Sequence, residues 1–187
     1  QDKASLQRGA AVFMNYCSGC HSLSYIRYEQ MAQGIGIDNK IMLKNNLIFT
    51  QASSSDPIGS ALAPADAQHW FGVHPPDLSL AARQRGAAWL YQYLTGFYTD
   101  KTRPFGVNNK MMPNAAMPDV LESLKKPIHQ APEEFERTIM DLVNFLAYVA
   151  EPTKLQRVHL GTYVLLFLLL LLLPVYCLKR MYWQRIK

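Results

Sequence analysis

Cysteine is scarce in this chain: three in 187 residues, with Cys17 and Cys20 three apart and Cys177 alone in an apolar run. A zinc site built on the first two needs a second compact pair of ligands, and none accompanies them. No βαβ pattern surrounds them either, which removes the usual setting of a thioredoxin-like redox pair. Charge is missing where a nucleic-acid binder would carry it. Fourteen of the nineteen Lys/Arg and all fourteen Asp/Glu lie in residues 1–156, so this head is formally neutral and the net +5 belongs to the tail. With no basic patch on the head, nucleic acid is excluded as a partner.

Charge is absent altogether from residues 160–178, which include six consecutive leucines. At 1.5 Å per residue this stretch is about 28 Å long, enough to span a hydrocarbon core. It predicts a transmembrane helix and contact with membrane lipid. Its place near the C-terminus, with no small-residue cleavage site after it, distinguishes it from a signal peptide. A core helix, the alternative, would show a polar face. Arg157 precedes the span, and Lys179, Arg180, Arg185 and Lys187 follow it, with Tyr182 and Trp183 at headgroup depth. This asymmetry places the C-terminus in the cytoplasm or its topological equivalent and the head on the other side. The expected organisation is a head over residues 1–156, an anchor over 157–180 and a basic tail over 181–187.

What the head does contain is Cys17-Ser18-Gly19-Cys20-His21. C-x-x-C-H is the attachment signature of a c-type haem: two thiols add to the vinyl groups, and the adjacent imidazole reaches the iron. Two cysteines three apart sit about one helical turn apart and can grip two substituents on one edge of a flat macrocycle. Covalent attachment outside the cytoplasm requires an exported head. A chain that starts at Gln1 without a methionine is expected to have lost a signal peptide, with truncation as the alternative. Cys17 and Cys20 being committed to haem and Cys177 to the membrane, no disulfide framework is expected.

Along the chain, Ser5 is the expected N-cap of a helix through Leu6, Ala10, Val12 and Phe13 to about Tyr16, with Gly9 at a close-packing position. Only short helices are expected in residues 22–60, where Tyr25, Ile26 and Tyr28 could pack on the haem, Gly34-Ile35-Gly36 breaks the chain and residues 51–56 form a polar loop. The prolines of His74-Pro75-Pro76-Asp77-Leu78-Ser79 hold an extended backbone suited to a wall beside a large apolar ligand. Arg83 and Arg85 precede an amphipathic helix carrying Trp89, Leu90, Tyr93, Leu94 and Phe97, a stripe best read as core. Either arginine suits a haem propionate, since guanidinium binds carboxylates bidentately; either also suits a plain surface position.

Residues 103–124 hold Met111, Met112 and Met117. A thioether opposite the histidine is common in electron-transfer haems. Met117 is the candidate, because Ala115 and Ala116 permit close approach and Pro118 keeps the backbone extended. Met111 and Met112 are expected to pack, and His69, His74 and His129 remain alternative ligands. A helix begins at Pro132, with Glu133, Glu134 and Glu136 in its first turn and Phe135, Ile139, Leu142, Val143, Leu146 and Val149 as its buried stripe. It ends at Glu151-Pro152, and Thr153 is a candidate cap for the membrane helix. A linker this short is expected to hold the head near the bilayer.

Cys17 to His21 followed by Ser22-Leu23-Ser24-Tyr25, then Pro75-Pro76-Asp77-Leu78-Ser79, Ala82-Arg83, Leu94-Thr95-Gly96-Phe97, Ala116-Met117-Pro118, Phe145-Leu146, Ala150-Glu151-Pro152 and the anchor follow in an order that resembles cytochrome c1, the haem subunit of the ubiquinol–cytochrome c oxidoreductase (bc1) complex. The resemblance covers essentially the whole length. It implies a mostly α, class I cytochrome c-like domain with one C-terminal transmembrane helix and one covalent haem c. It also implies axial ligands His21 and Met117, a propionate on Arg85 or else Arg83, and a cofactor environment that includes Pro76 and Tyr25. The implied partners are cytochrome b, a Rieske iron–sulfur subunit as electron donor and a soluble c-type cytochrome as acceptor, with quinol oxidation in cytochrome b. The head is compact beside mitochondrial forms and lacks a dense acidic run and the extra cysteine pair of some bacterial ones, so strong electrostatic steering of a basic acceptor is not expected. Its brevity suggests a bacterial inner-membrane protein with the haem domain in the periplasm. A free-standing membrane-anchored carrier would need a longer linker than residues 153–159, and a haem enzyme or gas sensor would lack a methionine ligand.

Overall fold

The computed structural model describes residues 2–38, 52–125 and 132–184; the candidate ligand His129 and the tail residues Arg185 and Lys187 lie outside them. The chain divides into two compact units, Gln1–Glu151 and Pro152–Lys187.

The first unit opens with α1 (Lys3–Val12), capped by Asp2, whose side chain accepts from Ala4 N at 3.0 Å. Ser5 is therefore not the cap. It is buried one turn in, where its hydroxyl donates to Asp141 Oδ1 at 2.6 Å, a tertiary use that local spacing does not reveal. The helix widens into a π-turn over Phe13–Cys17, in which Ser18 N reaches back five residues to the Phe13 carbonyl at 3.0 Å. Next come β1 (Leu23–Arg27) and α2 (Tyr28–Ile35), with Gly36 ending α2 in the left-handed conformation at φ 80°. Strand β2 (Pro57–Ile58) pairs antiparallel with β1. Helices α3 (Pro64–Phe71), α4 (Ala81–Arg85) and α5 (Ala87–Thr95) follow. Strands β3 (Phe97–Thr99) and β4 (Val107–Asn109) form a second antiparallel pair, and a 3₁₀ turn spans Glu122–Lys125. Phe97, expected on the helical stripe, lies instead on β3, because Gly96 has ended the helix.

The long helix α6 (Pro132–Ala150) is the centre of the head. Its stripe includes Ile139, Leu142, Phe145 and Leu146, all buried, and α1, α4 and α5 pack against it. A side chain at Gly9 would strike the Asp141 carbonyl and stand 2.7 Å from Phe145 Cβ, so only glycine lets α1 approach this closely. One turn beyond, Phe13 and Phe145 meet with ring centroids 5.9 Å apart. The buried carboxylate of Asp141 is satisfied by Arg8 Nε at 2.6 Å, Arg8 Nη2 at 3.1 Å and Ser5.

The second unit is built on α7 (Lys154–Gln184), of which Gln156–Gln184 is long and apolar enough to cross a membrane. Thr153 precedes it and accepts from Arg157 N at 2.8 Å through its carbonyl. Pro174 lies inside the helix, and Lys179 Nζ sits 5.7 Å from the centre of the Trp183 ring.

Candidate haem site

The attachment motif begins inside the π-turn. Cys17 ends it and is buried; Cys20 is half-buried. The Cys17 carbonyl accepts from Cys20 N at 3.0 Å and His21 N at 2.8 Å, which curls the motif into a single tight turn. Burial pushes the Cys17 thiol up to about 12.

His21 leaves this turn toward the Pro-Pro segment, and its Nδ1 lies 2.7 Å from the Pro76 carbonyl. A carbonyl only accepts, so Nδ1 carries the proton and Nε2 is left with a lone pair for a metal. Burial holds the His21 pKa below its ordinary value, against the opposing effects of Pro76 and Asp77, so the ring is neutral, as a ligand must be. Asp77 clamps the two segments together. Its Oδ2 accepts from Ser22 Oγ at 2.6 Å and Ser24 N at 2.8 Å, its Oδ1 from Ser79 N at 2.8 Å. Leu78 N adds a bond to the Ser22 carbonyl at 2.9 Å, and Tyr25 N one to Ser79 Oγ at 3.1 Å. The extended proline segment is thus fastened along its length to the residues after the motif.

Met117 is half-buried, and Tyr93 donates its hydroxyl to Met117 Sδ at 3.6 Å. Asn109, buried at the end of β4, ties the same region together: its Nδ2 donates to the Tyr93 carbonyl at 2.7 Å and its Oδ1 accepts from Met111 N at 2.8 Å. Tyr93 also stacks on Trp89 at 5.1 Å and meets the edge of Phe97 at 5.4 Å. Met111 and Met112, expected to pack, are exposed, because the bonds from their amides to Asn109 turn the chain outward there.

The remaining candidates are placed unevenly. Arg83 and Arg85 lie exposed on α4, and the Arg85 guanidinium sits 5.1 Å from the Trp89 ring centre. Tyr25 is 74% exposed, while Ile26 and Tyr28 join the core. His69 and His74 are exposed. Asp77 bonds to the residues that follow His21, and Tyr93 to Met117, although sequence spacing marks one as part of a wall and the other as core. Asp77 stands among Ser22, Ser24 and Ser79, a signal that becomes readable only once the two segments are known to touch.

These residues fit a covalently attached haem: two thiols in one turn, an imidazole with its proton already assigned, and a thioether held by a hydroxyl. The Cytochrome C1 family model matches residues 1–186. The chain is 44% identical over 209 residues to "Cytochrome c1" of Allochromatium vinosum, covering 98% of this chain and 85% of that protein. It is 40% identical over 201 residues to a Nitrosomonas europaea protein named "Ammonia monooxygenase gamma subunit", covering 99% and 85%. It is 28% identical over 211 residues to "Cytochrome c1 1, heme protein, mitochondrial" of Arabidopsis thaliana, covering 100% and 68%. A match that runs from before the attachment motif through the membrane helix leaves almost nothing of the sequence outside it, and the chain belongs to the cytochrome c1 family, the electron-transfer haem subunits of the bc1 complex.

Proposed function

We propose that this chain accepts one electron at a time from a Rieske iron–sulfur subunit and passes it to a soluble c-type cytochrome, in a complex whose cytochrome b oxidises quinol. The bound haem supplies the one-electron chemistry. Cys17 and Cys20 hold it covalently, and His21 and Met117 ligate its iron. Arg85, or Arg83 beside it, meets a propionate, and Pro76 and Tyr25 border the cofactor. The observation that carries this reading is the pair of second-layer bonds, Pro76 to His21 and Tyr93 to Met117. Both side chains are oriented by partners of their own, so they serve as permanent ligands and leave no open position for a substrate.

The charges after the anchor support an orientation with the head in the periplasm, the anchor through the bacterial inner membrane and the C-terminus in the cytoplasm. The test is a reduced-minus-oxidised spectrum of the chain isolated from its native membranes in mild detergent. The reading requires b-type haem bands, reducible by quinol, beside the c-type band. A reproducible c-type band alone would make the protein a free-standing carrier.

A further inference from the structure

The segment that delivers Met117 holds a donor with nothing to donate to. Arg103 lies half-buried between β3 and β4, and its Nη2 donates to the Asn114 carbonyl at 3.1 Å. Asn114, three residues before Met117, is in the left-handed conformation at φ 65°, and its N–H donates to Asn108 Oδ1 at 2.8 Å. The guanidinium is therefore fixed against the backbone of the methionine segment. Its Nε is buried, and among the described residues it is the only buried side-chain nitrogen or oxygen without a hydrogen-bond partner. Asp100, three residues earlier, feels the Arg103 charge, but its oxygens accept from Thr102 N at 3.0 Å, Thr102 Oγ1 at 2.6 Å and Asn108 Nδ2 at 3.0 Å, so the Arg103 Nε–H has no acceptor there.

A buried N–H left without an acceptor is unfavourable, and a guanidinium edge matches a carboxylate in geometry and charge. The covalent haem brings two carboxylates of its own. We propose that Arg103 donates its Nε–H to a haem propionate from the methionine side of the cofactor, in addition to the arginine that follows Pro-Pro-Asp-Leu-Ser. The assignment rests on the bound haem and is independent of which side chain is the sixth ligand. The Arg103 guanidinium is held by the Asn114 carbonyl before the carboxylate arrives, so less side-chain freedom is lost on binding.

The experiment uses the full chain in its native membranes, with Arg103→Gln and Arg103→Lys compared with the parent. Three signals are read: the propionate-bending band in the resonance Raman spectrum, the haem midpoint potential, and the near-infrared sulfur–iron charge-transfer band of the ferric state. Both variants should shift the propionate band, since each loses the Nε donor. Arg103→Gln should also lower the potential, because a nearby cation favours the reduced state, whereas Arg103→Lys keeps the charge and should stay nearer the parent. A propionate band unmoved in either haem-bearing variant overturns the assignment. So does loss of the sulfur band with the propionate band unchanged, which would make Arg103 a strut for the methionine segment. If Arg103→Gln does not assemble with haem, the band in Arg103→Lys decides alone.

Discussion

His21 shows how much of the proposed chemistry depends on single contacts. Its Nδ1 is 2.7 Å from the Pro76 carbonyl, so tautomer and ring orientation are set by backbone that lies 55 residues away. On the other side, Tyr93 holds Met117 Sδ at 3.6 Å. Replacing Met117 by alanine should change the ferric spectrum, lower the midpoint potential and let the ferrous haem bind carbon monoxide; an unchanged spectrum would return the role to a histidine. Tyr93→Phe should keep the ligand but lower the potential modestly, because the hydroxyl no longer draws electron density from the sulfur, a hydrogen bond of about 1 kcal/mol. Redox titration of both variants separates the two effects. Asp77 offers a pH test. Burial alone would raise its pKa, but bonds from Ser22, Ser79 and Ser24 outweigh burial and hold the carboxyl well below the usual carboxylate range. A carboxyl depressed in the folded state contributes stability that is fully present above its ordinary pKa of about 3.9 and is lost as pH falls through the folded value. Asp77→Asn turns an acceptor into a partial donor facing three donors and should cost about 1–3 kcal/mol at neutral pH. That difference should shrink in strong acid, as denaturant titrations followed at the haem band would show.

At the scale of elements, the head depends on the close approach of α1 to α6. Gly9 permits it, Phe13 and Phe145 fill the next layer, and Asp141 is neutralised by groups from α1. Gly9→Val should force the helices apart and destabilise the head by about 1–3 kcal/mol, the range for overpacking a filled core. Thermal unfolding monitored through haem absorbance checks it, and a variant as stable as the parent would mean that α1 can shift without loss. The π-turn at Phe13–Cys17 belongs to the same scale. It ends the first helix with one residue more than an α-turn would hold, at the point where the attachment motif begins.

For the whole molecule, the two compact units give a prediction about separability. Truncation after Glu151 should release the haem-bearing head into the aqueous fraction with its c-type spectrum intact, because its buried residues come from that unit. Recovery of the truncated chain only in membranes, or without haem, would contradict this. Formal neutrality of the head predicts weak electrostatic steering. The rate of electron delivery to an acceptor should vary less than about threefold between ~0.01 and ~0.15 M salt, as stopped-flow mixing would show.

The sequence by itself determined the parts whose physics is local. C-x-x-C-H specifies its chemistry within five residues, an uncharged run of nineteen has one natural solvent, and the period of Ile139, Leu142, Val143 and Leu146 reads directly as a buried helical face. Phe97 on a strand, Ser5 as a partner of Asp141, and Met111 and Met112 at the surface were decided only in three dimensions. Ser5 answers to a partner 136 residues away, whereas Phe97 is redirected by the adjacent Gly96 and the two methionines by Asn109, two and three residues back, neighbours whose effect helical periodicity does not display. The same holds for Pro76, Asp77, Tyr93 and Arg103, whose roles depend on what lies across a fold that brings residues near 20 to residues near 77, and residue 93 to residue 117. Covalent and solvation preferences act along the chain and are written in it; hydrogen-bond partners from distant segments exist only after the core has closed.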